Sequence, residues 1–140
     1  MTAIKRTTVH HLVGKRFVGI TPEAQRVMID GESHARTGMG PMDLVLNAVG
    51  ACAGYDIAGM LTKRRLDIKS YHIELQGTRA EGHPAYYTRV HATHYFDVPG
   101  LDQKTAERFV ELGMTRYCSV SASLKADITF DVVLEHDSDT

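Results

Sequence analysis

Cys52 and Cys118 are the residues of this chain with the widest chemistry open to them. A thiol becomes a nucleophile when it is ionised. Two thiols 66 positions apart can be inert packing, a fragment of a metal set or a redox pair. Cys52 lies eleven residues after Pro41, three turns into an apolar stretch that reads as a helix. A helix dipole acts mainly within its first turn, so activating this thiol requires an external cation. Arg16 and Arg36, both in the N-terminal part, are the candidates. Asp56 stands one turn beyond Cys52 and can share its face. A carboxylate there opposes ionisation of the thiol unless an arginine lies between them. Cys118 sits in Tyr117-Cys118-Ser119, a less apolar setting. Free cysteine also serves as a small buried hydrophobe, a reading open to each thiol taken alone.

Metal chemistry finds little support. No C-x-x-C or H-x-x-x-H spacing occurs, and two isolated cysteines fall short of a structural zinc set. His91 and His94 are an odd number apart in a strand-like run and so point to opposite faces; His10 and His11 fail likewise. There is no Gly-rich phosphate loop and no G-x-S-x-G elbow. No metal and no cofactor are expected.

The elements that must position the thiols follow from periodicity. Phe17–Ile20 and Arg26–Ile29 are β-prone runs separated by the turn Thr21-Pro22-Glu23, and the second ends at Asp30-Gly31. A glycine-rich loop from Gly31 to Gly40 carries Glu32, His34 and Arg36; loops in such positions often hold site residues. Pro41 suits the first turn of a helix, and Asp43 favours its positive end. From Leu44 to Leu61 the pattern is apolar on nearly every face, which predicts a helix buried in the centre. It ends at Lys63-Arg64-Arg65, basic as a C-terminus prefers. Gly50 and Gly54 beside Cys52 predict close approach of another backbone, across a dimer for example. Two alternating stretches around Tyr71–Gln76 and Arg89–Phe96, parted by Gly82-His83-Pro84, read as strands. A second helix runs from an Asp102 cap to Tyr117, leaving Cys118 at its far end. Ala126–Leu134 is a closing strand, and Glu135–Thr140 is polar enough to fray. Consecutive strands make the class α+β, in a single domain spanning 1–140.

Composition excludes other classes. Lys plus Arg (16) nearly cancels Asp plus Glu (17), so bulk charge recruits neither nucleic acid nor an anionic membrane. The N-terminus lacks a secretory apolar run, and no stretch approaches the roughly 20 apolar residues of a span. A cytoplasmic location is expected.

Gly40-Pro-Met-Asp-Leu-Val-Leu-Asn-Ala-Val-Gly-Ala-Cys52 resembles the segment of OsmC/Ohr proteins that opens their central helix and ends at the peroxidatic cysteine, and Tyr117-Cys118-Ser119-Val120 resembles their second-cysteine motif. The similarity covers essentially the whole chain. It implies an OsmC-like fold of antiparallel strands around a buried central helix, in an intertwined homodimer. It also implies thiol-dependent, peroxiredoxin-like reduction of organic hydroperoxides in oxidative or osmotic stress defence. Cys52 would be oxidised to a sulfenic acid, Cys118 would trap it as a disulfide, and a dithiol reductant would restore both. Well-characterised members carry glutamate directly after the proline, where this chain has Met42; Asp43 stands one place later, as in a branch with Pro-Met-acid. The family's activating arginine corresponds to Arg16 or, alternatively, Arg36. The competing reading is a non-catalytic scaffold of the same fold that holds a small apolar ligand at the dimer interface.

Overall fold

The computed structural model describes residues 3–136. These fall into two compact units that divide between Val45 and Leu46.

The first unit is a three-stranded antiparallel sheet in the order β1 (Thr8–Val13), β2 (Arg16–Ile20), β3 (Arg26–Asp30). Gly14, at φ +58°, turns β1 into β2 in the left-handed region that glycine tolerates. The loop after β3 is tied down from within by Asp30, whose side chain is fully buried. Its carboxylate accepts the backbone N–H groups of Glu32 and Thr37, both at 2.9 Å, and Arg16 Nε at 3.1 Å. These bonds, that from Thr37 foremost, hold the Asp30 carboxyl well below the usual carboxylate range.

The second unit holds most of α1 (Pro41–Lys63), a sheet in the order β4 (Ser70–Arg79), β5 (Tyr87–Asp97), β6 (Asp127–Leu134), and the short helices α2 (Gln103–Glu111) and α3 (Ser119–Ala122). β4 and β5 are antiparallel, with Tyr71 opposite Phe96 and Leu75 opposite Ala92. β6, however, runs parallel to β5, which corrects the expectation of antiparallel strands throughout. The helical segment between them is the crossover that a parallel pair requires, so a single antiparallel meander was never available to this order of elements.

One stripe of α1, formed by Val49, Ala53, Ile57 and Leu61, is wholly buried, and Val49, Ile57 and Leu61 are each worth about 1.5–3 kcal/mol there. Gly50 and Gly54 face Leu75 and Ile73 of β4. Within the chain, the close approach at Gly50 is to the end of the Leu75 side chain. Burial elsewhere on α1 is partial, and Tyr55 is 80% exposed. Within the single chain, the helix expected to lie buried in the centre is fully covered along this stripe and partly covered elsewhere. It is also long and apolar enough to cross a membrane by length and composition, with a mean hydropathy of 1.5. Counting strongly apolar residues misses this, because Gly, Ala and Cys raise the mean.

α2 begins as expected at Asp102, which accepts the Thr105 N–H at 2.7 Å, and buries Ala106, Phe109 and Val110. It does not continue regularly to Tyr117. Leu112–Arg116 widens into a π-turn, with Tyr117 N–H donating to Leu112 O at 3.1 Å. The tail expected to fray is anchored through His136: Val98 N–H donates to its Nδ1 (3.1 Å), leaving Nε2–H to donate to Leu101 O at 2.9 Å. The rest of that expectation, 137–140, lies outside the described residues.

His91 and His94 do point to opposite faces of β5. His91 meets Thr129 and Asp131, whereas His94 is fully buried. His94 Nδ1 lies 2.7 Å from the Tyr71 hydroxyl, and its Nε2 has no hydrogen-bond partner among the described residues. Burial pushes this imidazole down to about 4 from 6.5. A group that binds its proton more weakly when folded stabilises the fold above its unfolded value, and that contribution is lost as the pH falls. Unfolding free energy is expected to drop by roughly 3 kcal/mol between pH 6.5 and 4 on account of His94. In denaturant titrations across that window, His94→Gln should flatten the decline; an unchanged slope would refute the assignment.

Candidate functional site

The two thiols belong to the same unit and both are free. Cys52 is half-buried on α1. Cys118 is only 4% exposed and stands where the π-turn gives way to α3, in extended backbone at φ −76° and ψ 100°. Its Sγ lies 3.8 Å from Val49 O. Val49 precedes Cys52 by three residues, which on a helix is about 4.5 Å along the axis and about 60° around it. The sulfur of Cys118 thus touches α1 within one turn of Cys52, although 66 positions separate the two in sequence.

Gly113 makes this contact possible. A Cβ there would come within 3.0 Å of Ile57 and 3.2 Å of Ala53 O, so the π-turn lies directly on α1. Within the chain, the close backbone approach to α1 is made at Gly113. Widening the helix also spends Thr115 Oγ1 on Glu111 O at 2.6 Å. The signal was present in the sequence, since Gly113 interrupts an apolar stripe, but a π-turn has no distinct periodicity to announce it.

Cys118 Sγ is a hub of its own. It accepts the backbone N–H of Ser121 at 3.3 Å and the Ser121 hydroxyl at 3.1 Å, while its S–H is directed to Val49 O. The sulfur thereby caps α3. Ser121 is itself buried, and sequence reasoning did not single it out.

A cleft of about 910 Å³ opens between the C-terminal half of α1 and the α2–π-turn segment. Asp56 and Met60 line it, four and eight residues after Cys52 and so on its stripe of the helix. Opposite are Phe109 and Tyr117, the latter adjacent to Cys118. Lys63 and Arg64 lie at its rim end, and the Arg64 guanidinium stacks 5.2 Å over the Phe109 ring. This is space for an organic molecule of substantial apolar area.

The other expected site residues are held within the first unit. Arg16 donates to the buried Asp30 carboxylate and to the carbonyls of His34 and Ala35. Arg36 donates to Asp30 O at 3.0 Å and pairs with Asp43 at 3.8 Å. Asp43 in turn accepts the Gly40 N–H at 3.2 Å, the N-terminal half of a capping box. Arg36 and Asp43 thus come together, and Arg16 joins Asp30, a partner the sequence reading did not foresee.

Residues 31–133 match the family model described as OsmC-like protein. Protein YhfA of Escherichia coli K12 is 33% identical over 114 residues, 80% of this chain and 83% of that one. Among solved structures, a hypothetical protein from Aquifex aeolicus superposes with a TM-score of 0.83 at 25% identity, covering 97% of this chain and 99% of that one. The organic hydroperoxide resistance protein OhrB of Bacillus subtilis superposes at 0.63 with 15% identity, over 94% and 98% of the two chains. The chain belongs to the OsmC family and has its α+β fold.

Gly113→Val should press the π-turn away from α1. Overpacking of this kind costs about 1–3 kcal/mol, and Cys118 would move with the segment. Denaturant unfolding should report the loss, and alkylation by a maleimide should become faster at Cys118 than in the wild type. A variant of unaltered stability and thiol reactivity would contradict the role given to Gly113.

Proposed function

We propose that this protein reduces organic hydroperoxides, with Cys52 as the peroxidatic and Cys118 as the resolving thiol. The observation that carries the reading is the seating of the buried Cys118 sulfur within one turn of the more accessible Cys52. Cys52, the more accessible of the two thiols, is the one a peroxide meets first. The Cys52 thiolate attacks the O–O bond, the alkoxide leaves and takes up a proton as an alcohol, and Cys52 becomes a sulfenic acid. Cys118 then displaces the hydroxyl as water and forms the disulfide, which a cellular dithiol reduces by exchange.

Arg16 and Arg36 stay the two candidates for the guanidinium that would ionise Cys52, and they differ in what each already does. Arg16 neutralises a fully buried carboxylate, and withdrawing it would strand that charge. Arg36 is half-exposed, donates to Asp30 O at 3.0 Å and pairs with Asp43 at 3.8 Å. The family resemblance and the OhrB likeness of fold support the same reaction class.

The working form is a homodimer of OsmC-like domains in the cytoplasm. An apolar helix fully covered along one stripe only wants a second cover. In the first unit Val27 and Met28, neighbours on β3 and so on opposite faces, are 44% and 41% exposed. Apolar area on both faces of a small sheet marks an interface. Sedimentation should therefore give twice the chain mass of 15.5 kDa; a monomer at micromolar concentration would refute this part.

The chemical test is a stoichiometric pulse of cumene hydroperoxide. The wild type should lose both thiols and gain an intramolecular disulfide in one turnover. Cys52→Ser should consume no peroxide, and Cys118→Ser should stop at the sulfenic acid. If neither substitution changes peroxide consumption while an apolar ligand co-purifies in the cleft, the protein is a binding scaffold and the peroxidase reading fails.

A further inference from the structure

The cleft between the C-terminal half of α1 and the α2–π-turn segment carries a chemistry that the thiol reaction does not use. Its walls are apolar: Met60 of α1, the buried Phe109 of α2, Leu112 of the π-turn and the ring of Tyr117. Its rim is cationic, with exposed Lys63 and Arg64 arriving from the end of α1 and exposed Arg108 from α2. Among the described residues, none of these three cations stands in an ion pair. Arg64 acts through space on Asp102, but that carboxylate is engaged with the Thr105 N–H at 2.7 Å. The helix dipole accounts for a cation at Lys63, in the last turn of α1. It does not account for the other two. Arg64, the residue after the helix, lies over the Phe109 ring at 5.2 Å. At Arg108 there is no free helix end, because its carbonyl accepts the Leu112 N–H as the chain runs on into the π-turn. Three like charges around one opening repel one another, and an anion among them relieves that cost.

We propose that this cleft binds an organic carboxylate, with the apolar body packed on Met60, Phe109, Leu112 and Tyr117 and the charged end set among Lys63, Arg64 and Arg108. The site is defined by its own residues and stands whether or not the thiols turn over peroxide. A volume of about 910 Å³ suits a small organic molecule and lets its apolar part leave water. Stacking on Phe109 holds the Arg64 guanidinium before a ligand arrives. Its N–H donors are then presented to a planar carboxylate at little further cost in side-chain freedom. Lys63 and Arg108 add positive charge at the same opening. Asp56, half-buried in the α1 wall, sets the orientation. It stands seven residues before Lys63, roughly 10 Å along the helix axis. A carboxylate seated beside Asp56 would be repelled, so the anionic end faces the rim and the apolar end lies within.

Calorimetric titration of the reduced protein, with no peroxide present, tests the site with three probes of one shape: 4-phenylbutyrate, 4-phenylbutanol and 4-phenylbutylamine. The carboxylate should bind once per chain and about tenfold more tightly than the alcohol, and the amine should not bind. Arg64→Gln and Arg108→Gln should each weaken the carboxylate about fivefold and leave the alcohol unchanged, a division that a loss of folding would not produce. Added salt should weaken the carboxylate alone. Equal affinity for carboxylate and alcohol, or arginine variants that bind the carboxylate as the wild type does, would overturn the proposal. A cleft covered by a second copy of the chain would overturn it too: no probe would then bind, and Arg64→Glu would lower the sedimenting mass. Peroxide consumption enters none of these readings. A protein that binds 4-phenylbutyrate in this pattern but leaves cumene hydroperoxide intact would support the site and sink the peroxidase reading.

Discussion

The close packing of the π-turn on α1 is the constraint on which the rest of the second unit depends. Gly113 presents its backbone to Ala53 and Ile57, and everything downstream inherits that distance. Tyr117 is brought to the cleft, the Cys118 sulfur is brought to Val49, and α3 starts where the sulfur can cap it. The sheet supports this from below: Ile73 and Leu75 of β4 meet the glycines of α1, and β6 is placed parallel to β5 by the same crossover that carries Cys118. A thiol pair made from distant positions needs a rigid element on each side, and here a 23-residue helix supplies one of them.

The first unit is organised on another principle, around one charge. Asp30 is buried, ionised and surrounded by donors from β2 and from the loop that follows it. A buried carboxylate is tolerated only when its lone pairs are filled, so the 31–40 loop must close around it. Arg36 extends this arrangement to Asp43 at the start of α1. Among the loop's side chains, the Thr37 hydroxyl also donates to Asp30, and Glu32 accepts the Lys15 N–H.

Much of this was legible in the residues, for physical reasons. Strand alternation gave the faces of β4, β5 and β6 correctly, because burial on one side enforces a period of two. The opposite orientation of His91 and His94 follows from the same rule. Pro41, Asp43 and Asp102 marked the helix starts because capping chemistry is local. The direction of β6 was not legible, since strand direction depends on the path of the crossover and not on the strand's own residues. Nor was the partner of Arg16: an arginine shows its charge in the sequence, but Asp30 acquires its burial only in the fold. The pair Cys52 and Cys118 was suggested by resemblance, whereas the contact at Val49 and the Ser121 bonds are tertiary facts with no periodic signature.

The central claim is that the two thiols already stand together in the reduced protein, before any oxidant acts. Phenylarsine oxide tests this directly, because a trivalent arsenical forms a stable ring only with two thiols that can reach one atom. Titration of the reduced, folded protein should consume both thiols at one equivalent, and bound arsenic should be lost when either cysteine is replaced by serine. Independent reaction of each thiol, or no ring in the wild type, would contradict the arrangement on which the function has been built.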